Sequence, residues 1–97
     1  MEATPLFVEG QKVSISSNER SGWEGTAVIK DGVIDKEGEI KVTFTNWQRV
    51  SGGALFEEGG GGEISCPSNG RLSLSFGFGT LQYTNLANEW YCVELLD

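Results

Sequence analysis

The chain has 97 residues, 38% hydrophobic and 22% charged, a length and balance that predict one globular domain (residues 1–97) around one thin core. Fourteen acidic residues against seven basic ones give a net charge of −7, which disfavours direct binding to nucleic acids or anionic membranes, because both need clustered Lys and Arg. There is no apolar run of transmembrane length and no secretion signal at the start, so we expect a cytoplasmic protein without membrane insertion.

Short stretches in which apolar and polar residues alternate predict β-strands throughout the chain. The first two are QKVSIS (11–16) and GTAVIK (25–30), separated by the turn-rich stretch SSNERSGWEG. EIKVTFT (39–45) alternates cleanly and predicts the next strand. The turn sequences KDG (30–32) and DKEG (35–38) separate these elements.

The middle of the chain predicts three more strands with two connections between them. ALFE (54–57) and EISC (63–66) flank a run of four glycines, which predicts a hairpin with a longer loop. Asn69-Gly70 supplies the positive φ angles of a type I′ turn. This turn predicts that EISC pairs with residues 71–76 of the sharpest alternation, RLSLSFGFG.

The last third of the chain predicts two further strands, TLQYT (80–84) and EWYCVELL (89–96). A single helical turn over residues 85–89 is the expected connection. Trp90 and Tyr91 are adjacent in the last strand, so they must face opposite sides of it, one in the core and one outside. Seven or so short strands with frequent turns predict an all-β antiparallel fold, a small barrel, with a β-sandwich as the alternative.

The glycine run EEGGGGE (57–63) has three possible roles: a phosphate loop, a calcium loop or a slack connection. Phosphate loops end at a helix N-terminus and usually carry a lysine, and here no helix follows and glutamates flank both sides. Calcium is disfavoured because four bare glycines make a loop that is costly to order. We therefore expect a hairpin tip and no bound cofactor.

Chemistry-bearing residues are scarce. The chain has no histidine, which removes Ser-His and Cys-His nucleophile pairs and most zinc sites. Cys66 and Cys92 are too far apart in sequence for a CxxC metal motif. Each lies in an alternating stretch and is expected to be a buried free thiol, with a disulfide left open. We expect no enzymatic activity.

The order of these pieces resembles an SH3-like small barrel. EGQKVSI (9–15), GWEGTAVI (22–29), EIKVTF (39–44) and NLANEWYCVELLD (85–97) carry the likeness. It is shared by the E-type proteins of photosystem I, the similar small S-type proteins of the photosynthetic NDH complex, and KOW and Tudor-like modules. Residues 46–83 exceed a minimal barrel and predict an extra β-hairpin segment. The resemblance implies non-catalytic protein binding through the loop after the first strand and the groove beside it.

The aromatic residues provide the candidate contact patch. Trp23 lies in a polar, turn-rich stretch and Trp47 follows a predicted strand, places where tryptophans often anchor interfaces. With Glu24, Asn46 and Arg49 they form the expected partner-binding site. The alternative, that these tryptophans close the ends of a thin barrel, remains open.

The expected function is a non-catalytic interaction module whose acidic surface favours a basic protein partner or a larger complex. One alternative is a carbohydrate-binding β domain that uses Trp23, Trp47 and Asn46. Another is an inhibitor of an enzyme or of a nucleic-acid-binding protein, presenting a loop such as residues 52–63.

Overall fold

The computed structural model describes residues 4–5, 7–53, 56–75 and 80–96. All the strands in these ranges belong to one antiparallel sheet, so the predicted all-β fold class is confirmed. The strands are β1 (Thr4–Pro5), β2 (Lys12–Ser17), β3 (Trp23–Ile34), β4 (Ile40–Gly52), β5 (Gly62–Cys66), β6 (Arg71–Ser75), β7 (Thr80–Thr84) and β8 (Trp90–Leu95). A single 3-10 turn, Glu19–Ser21, joins β2 to β3. Within the described residues, no helix is long and apolar enough to cross a membrane.

The sheet curls because its two edge strands are consecutive in sequence. The strand order is β5-β4-β3-β2-β8-β7-β6, and β1 pairs separately with β3. β5 and β6 therefore lie at opposite ends of the order, although only residues 67–70 connect them. The Tyr83 hydroxyl of β7 donates a hydrogen bond to the Pro67 carbonyl, 2.7 Å away, across this corner. The result is the partly closed small barrel that the alternation predicted.

One face of the curled sheet, here called the inner face, holds the core. Alternate residues of each strand point to it because side chains in a strand have a period of two. Burying each large aliphatic side chain contributes about 1.5–3 kcal/mol. The buried core residues are Val13, Ile15, Trp23, Ala27, Ile29, Ile40, Val42, Phe44, Trp47, Ile64, Cys66, Leu81, Tyr83 and Val93.

Two predicted hairpins are wrong. β5 pairs with β4, with Ile64 opposite Val42, and β6 pairs with β7, with Leu72 opposite Tyr83. The turn at residues 67–70 forms as predicted, but it leads from one sheet edge to the other. Of the predicted strand 54–57, the first two residues lie outside the described ranges, and the other two are not in a strand.

The predicted helical turn over residues 85–89 is also wrong, because this stretch is a tight turn between β7 and β8. The Asn85 side chain accepts hydrogen bonds from the backbone N–H groups of Ala87 and Glu89, at 2.8 and 3.0 Å. Asn88 then adopts φ 64°, a left-handed conformation that reverses the chain. β7 and β8 therefore form a hairpin directly.

The glycine run lies against β4 instead of forming a hairpin tip. The Gly59 N–H donates to the Trp47 carbonyl at 2.7 Å, and the Trp47 N–H donates to the Gly60 carbonyl at 2.9 Å. A Cβ on Gly62 would lie 2.6 Å from the Phe56 ring and 2.7 Å from Cζ of Phe44. Glycine is thus needed here for close approach of the backbone to aromatic rings.

Candidate functional site

The two tryptophans of the predicted contact patch are in the core. Trp23 is 3% exposed and Trp47 is 0% exposed. Their ring centroids are 5.7 Å apart in an edge-to-face arrangement, and Phe56 lies 5.5 Å from Trp23 and 5.0 Å from Trp47. The expectation that Trp23 and Trp47 are exposed to a partner is therefore wrong, and so is the carbohydrate site built on them.

Local backbone structure explains why both tryptophans turn inward. Trp23 begins β3 and has the same phase as the buried residues Ala27 and Ile29. Asn46 and Trp47 together stand opposite the single residue Ala27, since Thr45 pairs with Val28 and Gln48 with Thr26. This is a β-bulge, and its extra residue shifts the side-chain phase so that Trp47 faces inward.

The other three predicted contact residues stay at the surface. Glu24 is exposed and lies opposite Ser16 of β2. Asn46 has φ 56° and helps line an open depression of about 270 Å³ beside Gln48. The Arg49 guanidinium donates to the Gly52 carbonyl at 2.8 Å. The structure places no tryptophan among them, so the five residues do not form one exposed patch.

A different group of residues meets at the end of the sheet where β3 begins. An open pocket of about 340 Å³ is lined there by the side chains of Glu19, Trp23, Phe56, Glu63 and Tyr91, with the rest of its wall from β5. We call it the acidic opening. It combines three aromatic rings with two carboxylates, the residue types that hold a cationic group.

Glu19 is held in place at this opening. The Tyr91 hydroxyl donates to Oε2 of Glu19 at 3.1 Å, and the Glu19 backbone N–H donates to Oγ of Ser17 at 3.0 Å. Burial, followed by the hydrogen bond to Glu19 and the Glu19 charge, raises the pKa of Tyr91 to about 12. Tyr91 therefore stays protonated at neutral pH and keeps donating to the carboxylate.

A second open depression lies on the outer face of β7, β8 and β2. Its volume is about 370 Å³, and Ser16, Gln82, Thr84, Trp90 and Cys92 help line it. We call it the Trp90 depression. Trp90 is 40% exposed, whereas Tyr91 packs against the core. The prediction that these two neighbours face opposite sides is confirmed.

The two cysteines are free and lie on different faces of the sheet. Cys66 is buried on the inner face, where burial and the charge of Glu39 raise the pKa of its thiol to about 12. Cys92 is half-buried in the Trp90 depression, and burial followed by the Glu94 charge raises its pKa as well. A disulfide between them does not form, and neither thiol is activated as a nucleophile at neutral pH.

The acidic residues do not converge on a metal site in the described part of the chain. In ranges 4–5, 7–53, 56–75 and 80–96, no three His, Cys, Asp or Glu residues are grouped as metal ligands. Glu58, one candidate calcium ligand of the glycine run, instead accepts a hydrogen bond from the Arg49 backbone N–H at 2.7 Å. None of the described residues is arranged to hold a metal.

Comparison of this chain with models of protein families, with curated proteins and with solved structures gave no match. Function therefore has to be argued from the two depressions. Sequence reasoning missed Glu19, Phe56 and Glu63 because they come from three connections that are far apart in the chain. The alternation in β8 did contain the signal for Trp90 and Tyr91.

Proposed function

We propose that the protein is a non-catalytic binding module that takes a basic side chain of a protein partner in the acidic opening. The observation that carries the proposal is the convergence of two carboxylates, Glu19 and Glu63, and three aromatic rings on one open pocket. The net charge of −7 favours the same class of partner.

The pocket offers a cation two kinds of attraction. Aromatic faces attract a Lys or Arg head group, by about 0.5–1 kcal/mol when exposed and about 2 kcal/mol or more when desolvated. Carboxylates add charge-assisted hydrogen bonds. Because Tyr91 already holds the Glu19 carboxylate, little side-chain entropy remains to be lost there on binding.

The wall formed by β5 favours a protein segment over a free amine. β5 pairs with β4 along one edge and is the last strand of the order in the described part of the chain. Its other edge borders the acidic opening through Glu63, Ile64 and Ser65. An extended segment can hydrogen-bond to such an edge while one of its side chains enters the pocket. The pocket also lies beside the Glu19–Ser21 turn, where the predicted SH3-like resemblance implies partner binding.

The titratable groups support a binding role over a catalytic one. Tyr91, with a pKa of about 12, is a poor general base or acid at neutral pH. Cys66 has a similarly raised pKa and is buried, so it is a poor nucleophile.

The test uses matched capped pentapeptides whose central residue is Lys or Arg, or the uncharged isosteres norleucine or citrulline. Backbone amide NMR shifts of the labelled protein are followed during each titration. We expect the Lys or Arg peptides to shift the signals of Glu19, Trp23 and Glu63, and the isosteres to shift them far less. Affinity should fall as salt is raised, because the pair is electrostatic.

Variants Glu19→Gln and Glu63→Gln should each weaken binding of the basic peptide by about tenfold, the upper end expected for one charge-assisted contact. Glu37→Gln, an exposed carboxylate in the turn between β3 and β4, serves as the matched control and should leave it unchanged. Equal shifts with Lys and norleucine peptides, or equal losses in all three variants, would rule the acidic opening out as the partner site.

A further inference from the structure

The Trp90 depression lies outside the acidic opening and has a different chemistry. We propose that it is a binding site for a neutral saccharide. The proposal does not depend on the protein-binding role, because the ligand would contact the outer face of β2, β7 and β8, while the acidic opening is built on the inner side of the sheet end.

Trp90 is a fixed, exposed aromatic platform. Its backbone N–H donates to Oδ1 of Asn18 at 2.8 Å, and Nδ2 of Asn18 donates to the Asn88 carbonyl at 3.1 Å. One asparagine thus fastens the β7–β8 turn to the end of β2. An aromatic ring held in this way can stack on the apolar face of a sugar ring with little loss of conformational freedom on binding.

Small and polar side chains surround the platform. Gln82 and Ser16 stand on either side of Cys92 in three neighbouring strands, which places each about 4.5–5.5 Å from it between Cβ atoms. Thr84 stands directly opposite Trp90. The amide of Gln82 and the two hydroxyls can both donate and accept hydrogen bonds, as sugar hydroxyl groups require.

The lining side chains of the Trp90 depression are uncharged, although the chain has a net charge of −7. Glu94, two residues beyond Cys92 on the same face, is the carboxylate whose charge reaches this thiol. A cationic ligand would be drawn to the paired carboxylates of the acidic opening instead. An aromatic face beside amide and hydroxyl groups matches a neutral ring that is apolar on one side and bears hydroxyl groups at its edge.

Acrylamide quenching of fluorescence provides a selective readout, because Trp23 and Trp47 are buried and Trp90 is exposed. The probes are neutral trisaccharides of glucose, galactose, mannose and N-acetylglucosamine. We expect at least one of them to lower the quenching constant by about twofold at saturation, since stacking covers one of the two faces of the ring. The effect should be independent of salt, unlike binding at the acidic opening.

Alkylation of Cys92 gives a second readout, because a ligand over the depression covers this thiol. The protecting saccharide should slow alkylation in the unchanged protein and in the control Glu24→Gln, and should not do so in Trp90→Ala or Gln82→Ala. Circular dichroism would confirm that both variants are folded. The proposal is overturned if no trisaccharide protects Trp90, if protection persists in Gln82→Ala, or if a Lys pentapeptide protects Trp90 as well as any sugar does.

Discussion

The two sides of strand β8 differ sharply, although Trp90 and Tyr91 are neighbours in sequence. On the inner side, Tyr91 packs against the core and binds Glu19. On the outer side, Trp90 is 40% exposed among uncharged polar residues. Both sides carry aromatic residues, so an aromatic residue in this chain does not by itself indicate either a core or a surface. Its phase within the strand decides.

The difference extends to the charge each side presents. The inner side ends at two carboxylates, Glu19 and Glu63, beside aromatic rings. The outer side presents an amide, two hydroxyls and a thiol around one ring. One small sheet therefore offers two chemically distinct surfaces, and substitutions on the two sides should have different consequences.

The largest expected difference is between Trp47 and Trp90. Trp47→Ala should lower the free energy of unfolding by about 3–5 kcal/mol, because it leaves a cavity in a closely packed core. Trp90→Ala should change it by less than about 1 kcal/mol, as for most surface substitutions. Urea denaturation followed by circular dichroism measures both. Trp47→Phe is the control, and it should cost less than the alanine, since the Trp47 indole N–H has no hydrogen-bond partner among the described residues. Similar losses for Trp47→Ala and Trp90→Ala would contradict the assignment of the two faces.

A smaller effect is expected at the glycine run. Gly62→Ala should destabilise the fold by about 1–3 kcal/mol, because the added methyl group overlaps the rings of Phe56 and Phe44. Gly53→Ala is the matched control, with no atom within 4 Å of its Cβ, and should lie within about 0.5 kcal/mol of the unchanged protein. Thermal unfolding of the two variants side by side measures the difference. If Gly62→Ala is as stable as Gly53→Ala, the glycines are not required for packing.

The smallest expected effect is on the ionisation of Tyr91. Its pKa is raised from 10.0 to about 12, so the neutral hydroxyl is favoured in the folded state. The unfolded chain loses this proton near pH 10 and the folded chain does so near pH 12. The contribution to stability is therefore fully present below pH 10 and is lost as pH rises from 10 to 12. Glu19→Gln removes a charge beside the hydroxyl and should lower the pKa of Tyr91, which ultraviolet absorbance titration can follow. An unchanged titration in Glu19→Gln would show that burial alone sets the value.

The alternation in the sequence located most strands because the pattern is local. β2, the first part of β4, and β8 were predicted to within about two residues, the usual uncertainty of an element's ends. Trp23 could have been assigned to the core by extending the phase of Ala27 and Ile29 back past Gly25. Trp47 could not, because the bulge at Asn46 changes the phase and depends on the backbone φ.

Strand pairing was less accessible from the sequence than strand position. A turn such as residues 67–70 normally joins two paired strands, and the sequence contains no local signal that this one links the two edges of a curled sheet. The acidic opening depends on that curl, because it brings β5 near the Glu19–Ser21 turn. Its residues could therefore not be grouped by sequence spacing.

The position of β2 beside β8 has a consequence for how this chain relates to simpler sheets. Read from β6, the strand order is β6-β7-β8-β2-β3-β4-β5, which is the order of an up-and-down meander interrupted between β8 and β2. The Leu96 N–H donates to the Lys12 carbonyl at 2.9 Å, so the two interrupted ends are side by side. The fold is thus a circularly permuted meander whose natural opening lies in the middle of the sheet. Its central pairing joins residues from opposite ends of the chain, and the loop closure that this requires is a cost that an unpermuted meander would avoid.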